Sequence, residues 1–346
     1  MGLTKIGSYF RALPKKARED GIVRPPMAIL TVPRDDELES LVSAYDLGPF
    51  LHGCASARGI EAGTVNTSYA LDLEAGRYFL RIYEEQGHHG AEAEARLLLH
   101  LAASGVRTPA PVLARDGAMV RTVAGKPAAL FPWVDGDMLC LRAVTPLAGR
   151  EVGAALARMH LAGPPPDGPL GAGRFQPQDL VGRCDRVATS RDPLARAEAE
   201  ALRSAITAIA AQRRTDLPSG LVHGDLFRDN VLWHEGRIAA LLDFESAHHG
   251  PFAYDIAVTI LSWSFRDAVD ADVARAIIAG YREVRELEPN EHDGLFAEAV
   301  FAALRFTITR ITDEAIRVGK RWQRFVARRQ ALEQLGPSGL REALGL

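Results

Sequence analysis

The chain has 346 residues, 47% of them hydrophobic, and sets 41 basic side chains against 44 acidic ones for a formal net charge of −3. That length suits about two domains with packed cores, and the balanced charge excludes the basic stripe of a nucleic-acid binder. Cys54, Cys140 and Cys184 fit neither a disulfide framework nor a metal-ligand spacing, no run reaches the length of an apolar membrane span, and the N-terminus lacks an apolar signal core, so a reduced, cytoplasmic protein is expected.

Residues 1–34 read as an extension, with Lys15, Lys16 and Arg18 followed by Pro25-Pro26. Acidic residues Asp35, Asp36, Glu37 and Glu39 then open a helix, where they favour the positive end of its dipole. From 56 to 83 the period changes. Residues 64–73 and 77–83 read as two strands around the turn Ala75-Gly76, with a third strand expected near 53–60. A helix is predicted over 92–104, with Leu97, Leu98 and Leu101 on one face and Gly105 as its stop. Short strands are expected at 118–122 and 128–131. Pro132-Trp133-Val134-Asp135-Gly136-Asp137 breaks the pattern, and the domain joint is placed there.

Beyond the joint the sequence is mainly helical. Pro146 sits just inside a helix start, a Pro/Gly-rich loop covers 163–173, and a helix is expected over 192–213. Residues 221–244 read as loop and short strands. Four helical stretches follow near 252–265, 270–284, 291–312 and 314–335. The fold class expected is α+β and bilobal: a small antiparallel-sheet lobe over 35–132 that binds nucleotide, and a larger helical lobe over 133–346 that carries the catalytic loop, metal and acceptor.

The most informative segment is His223-Gly224-Asp225-Leu226-Phe227-Arg228-Asp229-Asn230, followed by Leu241-Leu242-Asp243-Phe244-Glu245. Asp225, Asn230 and Asp243 form a compact oxygen set. Such a set suits Mg²⁺, which takes one or two carboxylates and otherwise keeps water and phosphate oxygens. Phosphoryl transfer needs that metal and a residue orienting the nucleophile. Asp225 is the candidate base, and Asn230 and Asp243 are the candidate metal ligands. His223 is assigned to the catalytic loop as its brace. Asp and Asn are common in turns, but the strand-like 238–242 delivers Asp243 directly after them.

Upstream, the turn between strands carries Gly59, Gly63, Thr64 and Asn66. Small residues there let backbone N–H groups approach phosphates. Lysine is absent between 17 and 125, which leaves Arg81 as the long cation on the following strand, with Glu94 as its candidate partner. Asp255 lies among apolar residues, where it would bond backbone amides or His223. Trp263, Arg305 and Arg310 follow on later helices, where lining of the acceptor pocket is one reading and core packing and surface charge are the default ones.

These parts, in this order, resemble the protein-kinase-like small-molecule kinases, a superfamily that includes aminoglycoside phosphotransferases, choline kinases and homoserine kinases. Within it the chain is most similar to bacterial homoserine kinases of the phosphotransferase type. The likeness rests on Ala44-Tyr45-Asp46-Leu47-Gly48, the Gly59–Tyr69 turn, Gly76–Leu80, His223–Asn230, Tyr254–Val258 with Trp263, and Ala302–Phe306 through Arg310. It implies ATP in the cleft between two lobes, Mg²⁺ on Asn230 and Asp243, and a hydroxyl acceptor resembling homoserine, phosphorylated on the way to threonine. On this likeness Phe131, Trp133 and Val134 fall on the hinge that reads adenine, and Arg81 falls where many relatives carry lysine. Arginine there is a planar fork rather than a point charge. Two alternatives stay open: another acceptor (an aminoglycoside, choline, another amino alcohol or a protein serine), or a nucleotide-binding protein without turnover.

Overall fold

The computed structural model describes residues 29–54, 56–60, 65–168, 170–266, 268–313 and 322–346. Helix α1 (Asp35–Ser43) opens the first lobe, with its acidic residues in the first turn. Strand β1 (Leu51–Cys54) leads into a five-stranded antiparallel sheet made of β2 (Ala57–Gly59), β3 (Thr67–Leu73), β4 (Gly76–Ile82), β5 (Arg121–Val123) and β6 (Lys126–Pro132). Its spatial order is β2–β3–β4–β6–β5, with helix α2 (His88–Ala103) inserted between β4 and β5. The single strand expected near 53–60 is replaced by two short strands, β1 and β2.

Alternation along β4 and β6 sorts their side chains into two environments. Leu80 pairs with Leu130, and both join Ile82, Ala128, Leu38, Leu41 and Tyr45 in the core beneath α1. Arg81, opposite Ala129, and Phe79, opposite Phe131, point the other way, toward the second lobe. One strand register therefore seals the small lobe and also furnishes the cleft.

The second lobe begins with α3 (Pro146–Ala162), where the Thr145 side chain accepts from the Ala148 N–H at 3.2 Å. Helix α4 (Pro177–Ala188) was not expected from sequence. Its polar residues hide a stripe of Leu180, Cys184 and Val187 that is buried. The helix expected over 192–213 is two, α5 (Pro193–Ala197) and α6 (Ala199–Ala210). Strands β7 (Ser219–Val222), β8 (Val231–His234), β9 (Arg237–Leu241) and β10 (His248–Pro251) form two small antiparallel pairs, β7 with β10 and β8 with β9. Then come α7 (Phe252–Trp263), α8 (Ala271–Arg282), α9 (Pro289–Thr312) and α10 (Gln323–Leu344). Helix α10 is broken at Gly336, whose φ of 64° ends one helix before Pro337 opens the next. Of the stretch expected over 314–335, residues 314–321 lie outside the described residues.

Helices α3 and α8 approach backbone to backbone. A Cβ on Gly153 would lie 2.0 Å from the Ile277 carbonyl oxygen, and one on Gly280 would lie 1.9 Å from that of Arg150. Only glycine fits at either position. The close approach brings Tyr281 of α8 onto His160 of α3, with consequences for the loop described next.

Candidate active site

The segment after β7 is held from beneath by one carboxylate. Asp255, fully buried on α7, accepts from the His223 N–H at 2.6 Å and the Gly224 N–H at 2.9 Å. Burial opposes its charge, but hydrogen bonds from His160 and from the backbone hold it below the usual carboxylate range. His160 is itself buried, and that burial lowers its pKa, so its ring is neutral. The ionised Asp255 can only accept, so Nε2 of His160 donates to it at 3.1 Å and Nδ1 accepts from the Tyr281 hydroxyl at 2.7 Å. Arg285 donates to the same hydroxyl at 3.3 Å and grips the buried Glu291 through both η nitrogens at 3.0 Å. A continuous buried chain thus runs from Glu291 to the loop. His160 and Tyr281 escaped sequence reading, since a single histidine on an alanine-rich helix carries no signal.

On that support, hydrogen bonds of Asn230 join the stretches that carry Asp225 and Asp243. The Asn230 side-chain amide donates from Nδ2 to the Asp225 carbonyl at 2.8 Å, which leaves its Oδ1 as the available ligand atom. The Asn230 carbonyl accepts from the Leu242 N–H at 2.9 Å, so Asp243 begins one residue from that bond. Asp243 follows β9 with φ at 64°, a left-handed conformation that Asp tolerates better than most residues. His223 is fully buried. Its Nε2 lies 3.0 Å from the Leu242 carbonyl, and its Nδ1 accepts from the Asp225 N–H at 3.3 Å. With both ring nitrogens spent on backbone, His223 joins the two halves of the site and has no free nitrogen for a reacting group.

Among the described residues no three His, Cys, Asp or Glu side chains converge. One carboxylate and one amide oxygen remain, the sparse donor set of a Mg²⁺ ion that relies on phosphates and water. The residues present therefore fit such an ion.

Asp243 also lines a cavity of about 100 Å³ between the lobes, together with Phe79, Arg81, Glu94, Phe131, Trp133 and Val134. Its walls are apolar at the hinge end and charged at the Asp243 end. Arg81 donates to Glu94 at 2.8 Å. Burial opposes the Arg81 charge, yet the carboxylates of Glu94, Asp243 and Glu245 raise its pKa above the ordinary guanidinium value. Burial raises Glu94 as well, against the pull of Arg81. Lys126, the described lysine nearest in sequence, is engaged elsewhere, with Glu84 and Thr31.

Asn66 sits less openly than a phosphate-facing turn would require. Its Oδ1 accepts from the Glu84 N–H at 3.2 Å, and its Nδ2 donates to Glu245 at 3.3 Å, tying the turn to the second lobe. Gly63 and Thr64 of that turn lie outside the described residues. Glu245 is pushed up to about 7, first by burial and then by Asp243. Arg305, for which packing or surface charge is the default expectation, is buried on α9 and donates to Asp225 Oδ1 at 3.2 Å. Its guanidinium stacks over Phe306 at 3.9 Å and Phe175 at 4.3 Å.

Comparison with known proteins places the chain in a family. The profile of the phosphotransferase enzyme family matches residues 56–289. A homoserine kinase of Parvibaculum lavamentivorans is 34% identical over 296 residues, covering 83% of this chain and 88% of that one. A homoserine kinase of Neisseria meningitidis is 33% identical over 291 residues, covering 83% and 92%. Among solved structures, the amicoumacin kinase hAmiN, in complex with AMP-PNP and Ca²⁺, superposes with a TM-score of 0.65 at 17% identity, covering 87% of this chain and 95% of that one. The likeness is one of fold, α+β with two lobes in the protein-kinase-like arrangement.

Proposed function

Since the chain belongs to the phosphotransferase enzyme family and acts on a hydroxyl acceptor, we propose that it moves the γ-phosphoryl group of ATP onto the side-chain hydroxyl of L-homoserine. The observation that carries this reading is the convergence of Asp225, Asn230 and Asp243 through the Asn230 bonds, beside a cleft holding Arg81 and Glu94. The acceptor is suggested by the similar proteins named homoserine kinase. The product would serve threonine formation in the cytoplasm. Among the described residues no helix is long and apolar enough to cross a membrane.

Residues 35–132 are the lobe assigned to nucleotide and 133–346 the lobe assigned to the acceptor. Phe131, Trp133 and Val134 would flank the base, and Arg81, steadied by Glu94, would meet phosphate oxygens. Asn230 and Asp243 would hold Mg²⁺, which supplies neutralisation of phosphate charge when bound. Asp225 accepts the hydroxyl proton as the acceptor oxygen bonds to phosphorus and the bond to the β-phosphate oxygen breaks. Arg305 fixes the orientation of Asp225, and His223 and Asp255 fix the loop beneath it.

An acceptor screen with ATP and Mg²⁺ tests the reading. Homoserine should be phosphorylated in preference to serine, threonine, choline and an aminoglycoside. Preferential transfer to any other member of that panel would displace homoserine, and no transfer at all would point to a nucleotide-binding protein without turnover.

A further inference from the structure

A second cavity, about 230 Å³ in volume, opens on the second-lobe side of the catalytic loop. It lies against Gly224 and Arg305, the neighbours of Asp225 in sequence and in space. Three guanidiniums line it, those of Arg174, Arg213 and Arg305, with the carboxylate of Glu245. Two of the cations are already balanced. Arg213 grips the fully buried Glu298 through Nε at 2.9 Å and Nη2 at 2.8 Å, and Arg305 holds Asp225. Arg174 rests over the Phe175 ring, and it has no carboxylate partner among the described residues. Glu245 accepts only the long amide bond from Asn66 at 3.3 Å. The cavity thus presents one cation and one carboxylate that feel each other's charge but form no ion pair with each other among the described residues. A dipolar ligand cancels both, whereas a polycation would bring charge that Arg174 opposes. The volume also falls below the roughly 300–1,000 Å³ of pockets that take drug-sized molecules.

We propose that this cavity binds the α-amino-acid end of the acceptor, with Arg174 and the spare Nη1 of Arg213 taking the α-carboxylate and Glu245 taking the α-ammonium. The hydroxyl end is thereby directed to Asp225. The inference rests on the proposed kinase reading for the identity of the acceptor, but the charge pattern is specific to an α-amino acid whether or not transfer follows. It makes Arg174 the residue that separates an amino acid from a simple amino alcohol, and Glu245 the residue that separates it from a hydroxy acid. Charge-assisted contacts of this kind are directional, and a ligand lacking one group leaves the protein group unpaired.

Three analogues divide the contacts. L-2-Aminobutyrate is homoserine without its hydroxyl, 3-aminopropan-1-ol lacks the carboxylate, and 4-hydroxybutanoate lacks the ammonium. Binding to the full chain with AMP-PNP and Mg²⁺ present is measured by calorimetry, and transfer is measured separately with ATP. The expected result is that L-2-aminobutyrate binds and that Arg174→Gln weakens it by roughly 10- to 100-fold, the range for a lost charged hydrogen bond. The same variant should leave 3-aminopropan-1-ol unaffected. Glu245→Gln should weaken L-2-aminobutyrate and 3-aminopropan-1-ol but not 4-hydroxybutanoate. Arg174 is exposed on a loop, so its replacement does not endanger folding. Equal affinity of L-2-aminobutyrate for the parent and Arg174→Gln proteins, or no binding to the parent, overturns the proposal. Arg174-dependent binding without phosphorylation of homoserine would uphold the cavity and sink the homoserine kinase reading instead.

Discussion

Arg305, in the middle of α9, donates to Asp225 Oδ1 at 3.2 Å, eighty residues away in sequence. The guanidinium is itself fixed between Phe175 and Phe306. That clamp fixes the orientation of the Asp225 carboxylate. Asp225→Asn keeps the shape and removes the base. Turnover should fall by about 10²- to 10⁴-fold, while nucleotide affinity measured by calorimetry is unchanged. Full activity in the variant would remove Asp225 from the step.

Arg81 lines the cleft between the lobes beside Glu94. Its raised pKa leaves no doubt of its charge, and Glu94 aims it into the cleft. Arg81→Ala removes the cation facing the nucleotide and abandons the buried Glu94. The KM for ATP should rise by roughly tenfold or more, the scale of one charged hydrogen bond. Arg81→Lys should recover most of the loss, because a point charge also serves phosphate. Unchanged ATP kinetics in Arg81→Ala would show that the side chain does not meet the phosphates.

Most of the candidate cluster is legible because Asp225, Asn230 and Asp243 lie within one short stretch, joined by bonds that span few residues. The same proximity made the Arg81–Glu94 pair readable across a strand and the following helix. The bracing chain was not legible. His160 meets Tyr281 across 121 residues, and neither stands in a motif. Asp255 was read as a loop brace because its acidic group sits in an apolar run, which is itself an anomaly. Arg174 follows the Pro/Gly-rich loop of 163–173 and Arg213 ends the helix expected over 192–213, and only the tertiary fold brings them to one cavity. Helix α4 was missed because its buried stripe is only three residues wide.

The bracing chain makes a statement about pH. Burial lowers the His160 pKa below its ordinary 6.5 in the folded protein. Below that pH the unfolded chain gains a proton that the folded chain refuses, so stability is lost as pH falls. Asp255 is held below its ordinary 3.8 and contributes in full until the solution is more acidic still. His160 should therefore contribute a decline of the urea midpoint between pH 7 and pH 5, against the opposite slope of Glu245, Glu94 and Glu298, whose raised carboxyls take up protons on folding. His248, also lowered by burial, shares in this. His160→Gln should be less stable at pH 7 and should show a smaller decline. A slope identical to the parent would mean that His160 is not the titrating group.

Asp255 is the end of that chain which touches the loop. Asp255→Asn cannot accept from both the His223 and Gly224 N–H groups, because its amide nitrogen donates. One buried N–H is left unpaired, at a cost of about 1–3 kcal/mol. Thermal unfolding should shift down accordingly. The loop carrying Asp225 loses its anchor, so kcat should fall at temperatures where the variant is still folded. A variant with reduced Tm but parental kcat would show that the anchor serves stability alone.

The contact of α3 with α8 carries the same chain at its far end. Gly280→Ala places a Cβ 1.9 Å from the Arg150 carbonyl oxygen, a backbone atom that cannot move aside without moving α3. Overpacking of that kind costs about 1–3 kcal/mol. Separation of the helices also stretches the Tyr281–His160 bond of 2.7 Å, and through it the support of Asp255. Gly182→Ala on α4 is the control, since a Cβ there meets nothing within 4 Å. Alanine in an open helical position should be neutral or stabilising by about 0.5–1 kcal/mol. Denaturant unfolding of both variants, with kcat measured alongside, separates the two effects. Gly280→Ala should lose stability and turnover together, and Gly182→Ala neither. If Gly280→Ala were as stable and as active as Gly182→Ala, the close helix approach would not be what holds Tyr281 against His160.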